Sequence, residues 1–188
     1  MNYSDHIRDK QRIVFAGSEG CDSLAALVSY VLTACNRPAI IIENDRLIRD
    51  EPHAAVALII ASDRANNDGQ ADFLKYDHHI GVITGIVFRN QAGFASEDEY
   101  IRQFDQFADS TPKGGLLAYC EQDPVASVLC NKERTDVGYI PFKAHPHAVD
   151  EDGSFLITGN KDRVRISDSA PDWRWFAGAK ELLKKLGI

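Results

Sequence analysis

The sequence predicts an α/β fold: a three-layer α/β/α sandwich with a mostly parallel sheet and a small antiparallel sheet near the C-terminal end. Three observations predict it. Short apolar runs alternate with helical patterns from residue 12 onward, the order expected of parallel strands joined by helices. Those runs are apolar throughout rather than at every second residue, as strands covered on both faces are. Beyond residue 137 the runs shorten and are separated by turn residues, which signals antiparallel strands.

Ile13, Val14 and Phe15 make the first apolar run, which ends at Gly17. A helix is expected next, with Leu24, Leu27, Val28, Val31 and Cys35 on one face. Pro38 opens a β-rich run from Ala39 to Ile42, and Ala54 to Ala61 and Ile80 to Ile86 supply two more buried strands. The polar stretch Ser62 to Asp72, with Asn66, Asn67 and Gly69, is expected to be a loop. Ser96 and Glu99 form a capping box ahead of Ile101, Phe104, Phe107 and Ala108, so a helix starts there, and Pro112, Gly114 and Gly115 stop it. Leu116 to Cys120 is a further strand and Pro124 to Cys130 a short helix. From Val137 to Ile166, Glu151-Asp152-Gly153 and Gly159-Asn160 punctuate small antiparallel strands. The last helix takes Pro171 in its first turn and carries Phe176, Leu182, Leu183 and Leu186 as an apolar stripe. A single domain over 1–188 follows: an α/β core over 12–134, an antiparallel extension over 135–168 and a closing helix over 170–188. There is no internal repeat and no low-complexity segment.

A chain of 188 residues is long enough for one sizeable core. With 44% hydrophobic and 26% charged residues it belongs among globular domains. No run reaches the length of apolar sequence a membrane helix requires, so no membrane partner is expected. Met1 to Gln11 is polar and of mixed charge, unlike a secretory signal, and a cytoplasmic location is expected. The formal net charge of −7 argues against a nucleic-acid partner, because polyanion binding needs clustered cations. The one basic cluster, Lys180, Lys184 and Lys185, suits a helix C-terminus instead. Cys21, Cys35, Cys120 and Cys130 show no CxxC spacing and are expected to be reduced and mostly buried.

Chemistry concentrates in one loop. Gly17-Ser18-Glu19-Gly20-Cys21-Asp22-Ser23 follows a strand and opens a helix, the context in which backbone N–H groups and a helix N-terminus cradle phosphates. This makes the sandwich one of P-loop type. A working loop needs Lys after its last glycine to neutralise phosphate, then Ser or Thr for magnesium. Cys21 and Asp22 stand there instead. Glu19 and Asp22 place two carboxylates where a triphosphate would sit, and like charges a few ångströms apart repel by roughly several kcal/mol at an effective dielectric of ~20. Asp22 is expected to cap the helix in the phosphate's stead. Cys21 is not expected to be a nucleophile, since the flanking carboxylates oppose thiolate formation and no Cys–His pairing is visible.

These residues resemble the opening of the central domain of the Mur ligases, whose motif is Gly-Thr-x-Gly-Lys-Thr/Ser-Thr/Ser. Gly17, Ser18, Gly20 and Ser23 fit it; Cys21 and Asp22 do not. The resemblance runs on through Tyr3 to Arg12, His79 to Ile86, Tyr100 to Gly115 and Gly178 to Ile188, nearly the whole chain, and points towards the UDP-N-acetylmuramate–L-alanine and murein tripeptide ligases. It implies a nucleotide-binding core from enzymes that use ATP and magnesium to activate a carboxylate for attack by an amine. It also implies loss at each catalytic position. The stretch matching the family's metal-binding Glu is Ala61-Ser62-Asp63-Arg64-Ala65, with Asp63 alone retained; the Asp-His motif has become Arg89-Asn90, and the His-Asn pattern Pro171-Asp172-Trp173-Arg174-Trp175. Losing the phosphate Lys, the metal Glu and the Asp-His pair removes charge neutralisation and metal binding together. No catalytic residue and no metal site are therefore expected, and Gly17, Ser18, Gly20, Cys21, Asp22 and Ser23 mark a phosphate loop that has lost its cofactor.

His78-His79 and His145-x-His147 are expected to be turn and strand-edge residues rather than metal ligands. Trp173, Trp175 and Phe176 are expected to pack the last helix, with an exposed partner-binding patch as the rival. The resulting expectation is a catalytically inactive Mur-ligase-like module that binds a partner or a sugar-nucleotide in cell-wall metabolism. Its alternatives are an ATP-dependent ligase subunit completed by other chains, and a homo-oligomeric assembly protein. A dimer covering surfaces that the family's other domains would cover is part of that expectation.

Overall fold

The computed structural model describes residues 4–167 and 171–188, apart from the side chains of Ser4 and Gln91. Tyr3 and residues 168 and 170, at the edges of expected segments, lie outside the described residues. After a short helix α1 (Ser4–Ile7), the chain runs β1 (Gln11–Ala16), α2 (Cys21–Ala34), β2 (Ile40–Glu43), β3 (Arg46–Arg49), β4 (Val56–Ile60), β5 (Ile80–Ile83), α3 (Glu97–Asp109), β6 (Leu116–Cys120), α4 (Pro124–Cys130), β7 (Gly138–Phe142), β8 (His147–Asp150), β9 (Gly153–Ile157), β10 (Arg163–Ser167) and α5 (Trp173–Lys185). The main sheet has the order β3-β2-β4-β1-β5-β6-β7, and β8 to β10 form a separate antiparallel sheet. Among the described residues, only the β2–β3 pair in the main sheet is antiparallel.

Strand periodicity divides the core between two faces. Ile13 and Phe15 of β1 face α2 and α5, where Leu24, Val28, Trp175 and Leu182 meet them. Val14 and Ala16 face α3, α4 and the 3-10 turn Asp72–Tyr76. That second face is aromatic: Phe73 packs on Phe104 at 4.8 Å and on Phe107 at 5.2 Å, and Tyr100 meets Phe104 edge-on at 5.1 Å. Each such pair adds roughly 0.5–1.5 kcal/mol beyond its burial.

Helix α3 starts as the capping box predicts. Ser96 accepts a hydrogen bond from the Glu99 N–H, and Glu99 accepts one from Ala95, one residue outside the cap. Three local expectations need correction. The strand at 138–142 is not part of the antiparallel extension: it joins the main sheet parallel to β6, because Ile140 and Phe142 bury against the face that carries α5. Helix α2 buries Cys21, Leu24, Ala25, Val28, Ser29 and Leu32, so its inner face is turned from the expected one and Cys35 is exposed. Pro171 precedes the first turn of α5, whose cap is Asp172, accepting from the Arg174 N–H. Among the described residues no helix is long and apolar enough to cross a membrane.

Candidate functional site

The parallel strands β1, β4, β5 and β6 end at one edge of the sheet, and their following loops converge there, where open α/β sheets hold ligands. The loop after β1 leads this group. Gly20 takes φ 78°, a left-handed conformation that favours glycine, and α2 begins at once with no side-chain cap. The loop after β5 braces it. Ser18 donates its N–H to the Gly85 carbonyl at 3.0 Å, and its hydroxyl accepts from the Val87 N–H at 2.9 Å. Thr84 donates its hydroxyl to the Glu19 carbonyl, and a Cβ on Gly17 would lie 2.1 Å from that hydroxyl. Among the described residues, none accepts from the N–H groups of Glu19, Gly20, Cys21, Asp22 or Ser23.

The side chains at this loop give a different picture from its backbone. Cys21, in the position of the motif's Lys, is buried against Thr84 at 3.3 Å and the Gly17 carbonyl at 3.7 Å. Burial pushes its thiol up to about 12, and the Asp22 and Asp63 carboxylates push the same way, so it stays protonated at neutral pH and is a poor nucleophile. Asp22 lies exposed in the first turn of α2 and supplies no cap, contrary to expectation; what remains to it is the helix dipole. Glu19 is not an uncompensated charge, because Arg174 meets it at 3.1 Å. The repulsion expected of two bare carboxylates therefore reduces to Asp22. The pairing of Arg174 with Glu19 escaped the sequence reading because 155 positions separate them.

No family model matches the chain. Among curated proteins, it is 25% identical over 122 residues to the UDP-N-acetylmuramate–L-alanine ligase of Mycobacterium leprae, covering 64% of this chain and 24% of that protein. It is 26% identical over 128 residues to the enzyme of the same name from Nocardia farcinica, covering 67% and 25%. Among solved structures, the UDP-N-acetylmuramate:L-alanyl-gamma-D-glutamyl-meso-diaminopimelate ligase from Neisseria meningitides superposes with a TM-score of 0.76 over 99% of this chain and 65% of that one, at 15% identity. MurF ligase from Thermotoga maritima, in complex with ADP, gives a TM-score of 0.76 over 99% of this chain and 47% of that one, at 8% identity. This chain is a relative of the Mur ligases. Its fold is that of their central domain, and it spans about a quarter of the length of the curated relatives it matches.

The other positions of the Mur ligase resemblance gather around the same loop. Asp63, after β4, accepts a hydrogen bond of 2.7 Å from the Tyr100 hydroxyl. Burial, and then that carboxylate, hold the Tyr100 phenol well above its ordinary range, so the pair is a fixed donor and acceptor. Arg89, after β5, reaches the Ser18 carbonyl at 3.4 Å. Asp123, after β6, caps α4 through the Ala126 N–H and also accepts from the Ile86 N–H, both at 2.8 Å. Asp123 was missed, although an Asp directly before Pro124 is a recognisable cap. Asp172, Arg174 and Trp175 close the ring from the start of α5.

The remaining sequence candidates lie apart from the loop. His78 is buried, bonded to the Thr111 hydroxyl at 2.9 Å and packed 4.1 Å from Phe107. His79 accepts the Arg12 N–H through Nδ1, and His147 stacks on Trp173 at 4.8 Å. Among the described residues no cluster of His, Cys, Asp and Glu is arranged to hold a metal. Trp173 and Trp175 are both 5% exposed, so they pack the helix rather than form a surface patch.

Proposed function

We propose that this chain is a Mur-ligase-like central domain that has given up ATP-driven ligation and works as a binding or regulatory module in the cytoplasm, linked to cell-wall precursor metabolism. One observation carries the reading: Cys21 turns inward to Thr84 where the motif needs a Lys facing phosphate. An uncharged, buried thiol cannot neutralise a triphosphate; of the two cations beside the loop, Arg174 is already engaged by Glu19 and Asp172, and Arg89 reaches the Ser18 carbonyl. The test is phosphate release from ATP with magnesium, UDP-N-acetylmuramate and a panel of amino acids, using the full chain alone and with separately expressed partner domains of a related ligase. The expected result is no turnover in any combination. Release that appears only with the partner domains would establish a ligase subunit completed by other chains and overturn the reading.

The exposed surface favours a protein partner, a second copy included, over a sugar-nucleotide. Tyr30 is 75% exposed on α2 beside an apolar groove of about 640 Å³ lined by Leu27, Val31, Phe176 and Leu183. Sedimentation of the purified chain at increasing concentration tests self-association: a dimer is expected, and a monomer throughout would remove that occupant.

A further inference from the structure

We propose that the start of α5 is a latch that closes the phosphate loop from within the chain, a device that rests on the reading of this loop as one without its cofactor. The indole of Trp175 packs directly on the Gly20 backbone: a Cβ added there would lie 2.0 Å from Trp175 Cζ2. Phe142 supports the ring from below, edge-on at 6.5 Å. Arg174 then ties the helix to the loop. Its Nε binds both Asp172 carboxylate oxygens, at 3.0 and 3.1 Å, while the guanidinium lies 4.6 Å from the Trp175 ring centre and reaches Glu19.

Each part of the latch has a separate task. Asp172 caps α5 through the Arg174 N–H and, with the same carboxylate, aims the guanidinium. Arg174 satisfies Glu19, the one loop carboxylate that faces it. Trp175 fills the space that the absent Gly20 side chain leaves. On the opposite flank Thr84 and Gly85 already hold Ser18 and Glu19. The loop is thus clamped on both sides, and a polyphosphate approaching its N–H groups from the α5 side must displace Trp175 and compete with Glu19 for Arg174. The Arg174–Glu19 pair is partly exposed and weakens with salt, whereas the Trp175 packing does not. Opening therefore starts at Arg174.

The full chain carrying Trp173→Phe leaves Trp175 as its single tryptophan and gives a direct reporter. Acrylamide should quench Trp175 weakly in that protein, and several-fold more strongly once Arg174→Gln is added, with Arg174→Lys in between. Circular dichroism checks that each variant is folded. Equal quenching in all three overturns the latch. A second arm uses ATP with magnesium on a loop repaired by Cys21→Lys and Asp22→Thr. Adding Trp175→Ala to the repaired loop, which opens the approach to Gly20 and keeps the Arg174 cation, should tighten binding by about tenfold. Affinity indifferent to Trp175 also overturns the latch but leaves the proposed loss of phosphate chemistry intact. Binding of ATP by the unaltered chain would instead break that earlier reading, whatever the quenching shows.

Discussion

Helices α3, α4 and α5 each begin on a side chain that caps them, and α2 does not. Ser96, Asp123 and Asp172 accept from the N–H groups of Glu99, Ala126 and Arg174. Helix α2 starts from Gly20 at φ 78°, with its first N–H groups left to the loop and Asp22 standing exposed beside them. The first three are self-sufficient helix starts. The fourth is shaped for close approach, and in this chain the group that approaches is Trp175. The backbone form of this loop is held by its neighbours, Thr84 and Gly85 on one flank and Trp175 at Gly20, rather than by a cap of its own.

The largest effect should come from filling the approach. Gly20→Ala puts a Cβ into the Trp175 ring and a side chain on a left-handed backbone, and is expected to cost roughly 3 kcal/mol. A domain of this size should then melt about 6–12 °C lower. An unchanged melting temperature would mean that Trp175 does not rest on the loop.

Acid should act on the other side of the comparison, at the far end of α3. His78 packs on Phe107, and burial lowers its pKa from the ordinary 6.5 to about 4, with His79 and Arg12 adding repulsion. The fold holds the neutral ring, so this stability is fully present above pH 6.5 and is lost as pH falls through about 4. The linkage is worth about 3 kcal/mol. Urea melts of the natural chain and of His78→Gln between pH 7 and 4 check it; the variant should lose less stability over that range, and parallel curves would count against His78.

Asp123→Ala removes a cap and the acceptor for the Ile86 N–H together, and is expected to cost about 2 kcal/mol in denaturant melts. The smallest effect belongs to Asp22. Without a capping bond it contributes only through the helix dipole, so Asp22→Asn should cost a few tenths of a kcal/mol. A loss above about 1 kcal/mol would place Asp22 among the capping residues and erase the contrast between α2 and the other starts.

Local chemistry was legible in the sequence, and distant pairing was not. Ser96 and Glu99 announce α3 because both partners of the capping box lie within one turn. The parallel sheet follows from apolar runs such as Val56–Ile60, whose neighbours bury both faces. Strand β3 was missed: Asn44 and Asp45, at φ 45° and 66°, turn the chain within two residues, and only that pair signals the hairpin. The turn from β1 into α2 was legible from its glycines and its place after a strand. Its present environment was hidden, because Glu19 meets Arg174, and Gly20 meets Trp175, across the length of the chain.

Calorimetric titration of the unaltered chain with ATP and magnesium decides whether the loop from Gly17 to Ser23 takes a triphosphate. Heats indistinguishable from dilution at millimolar ATP are the expected result. A saturable isotherm in the micromolar range, lost on Gly20→Ala, would show that the loop still binds nucleotide without its Lys and would contradict the account.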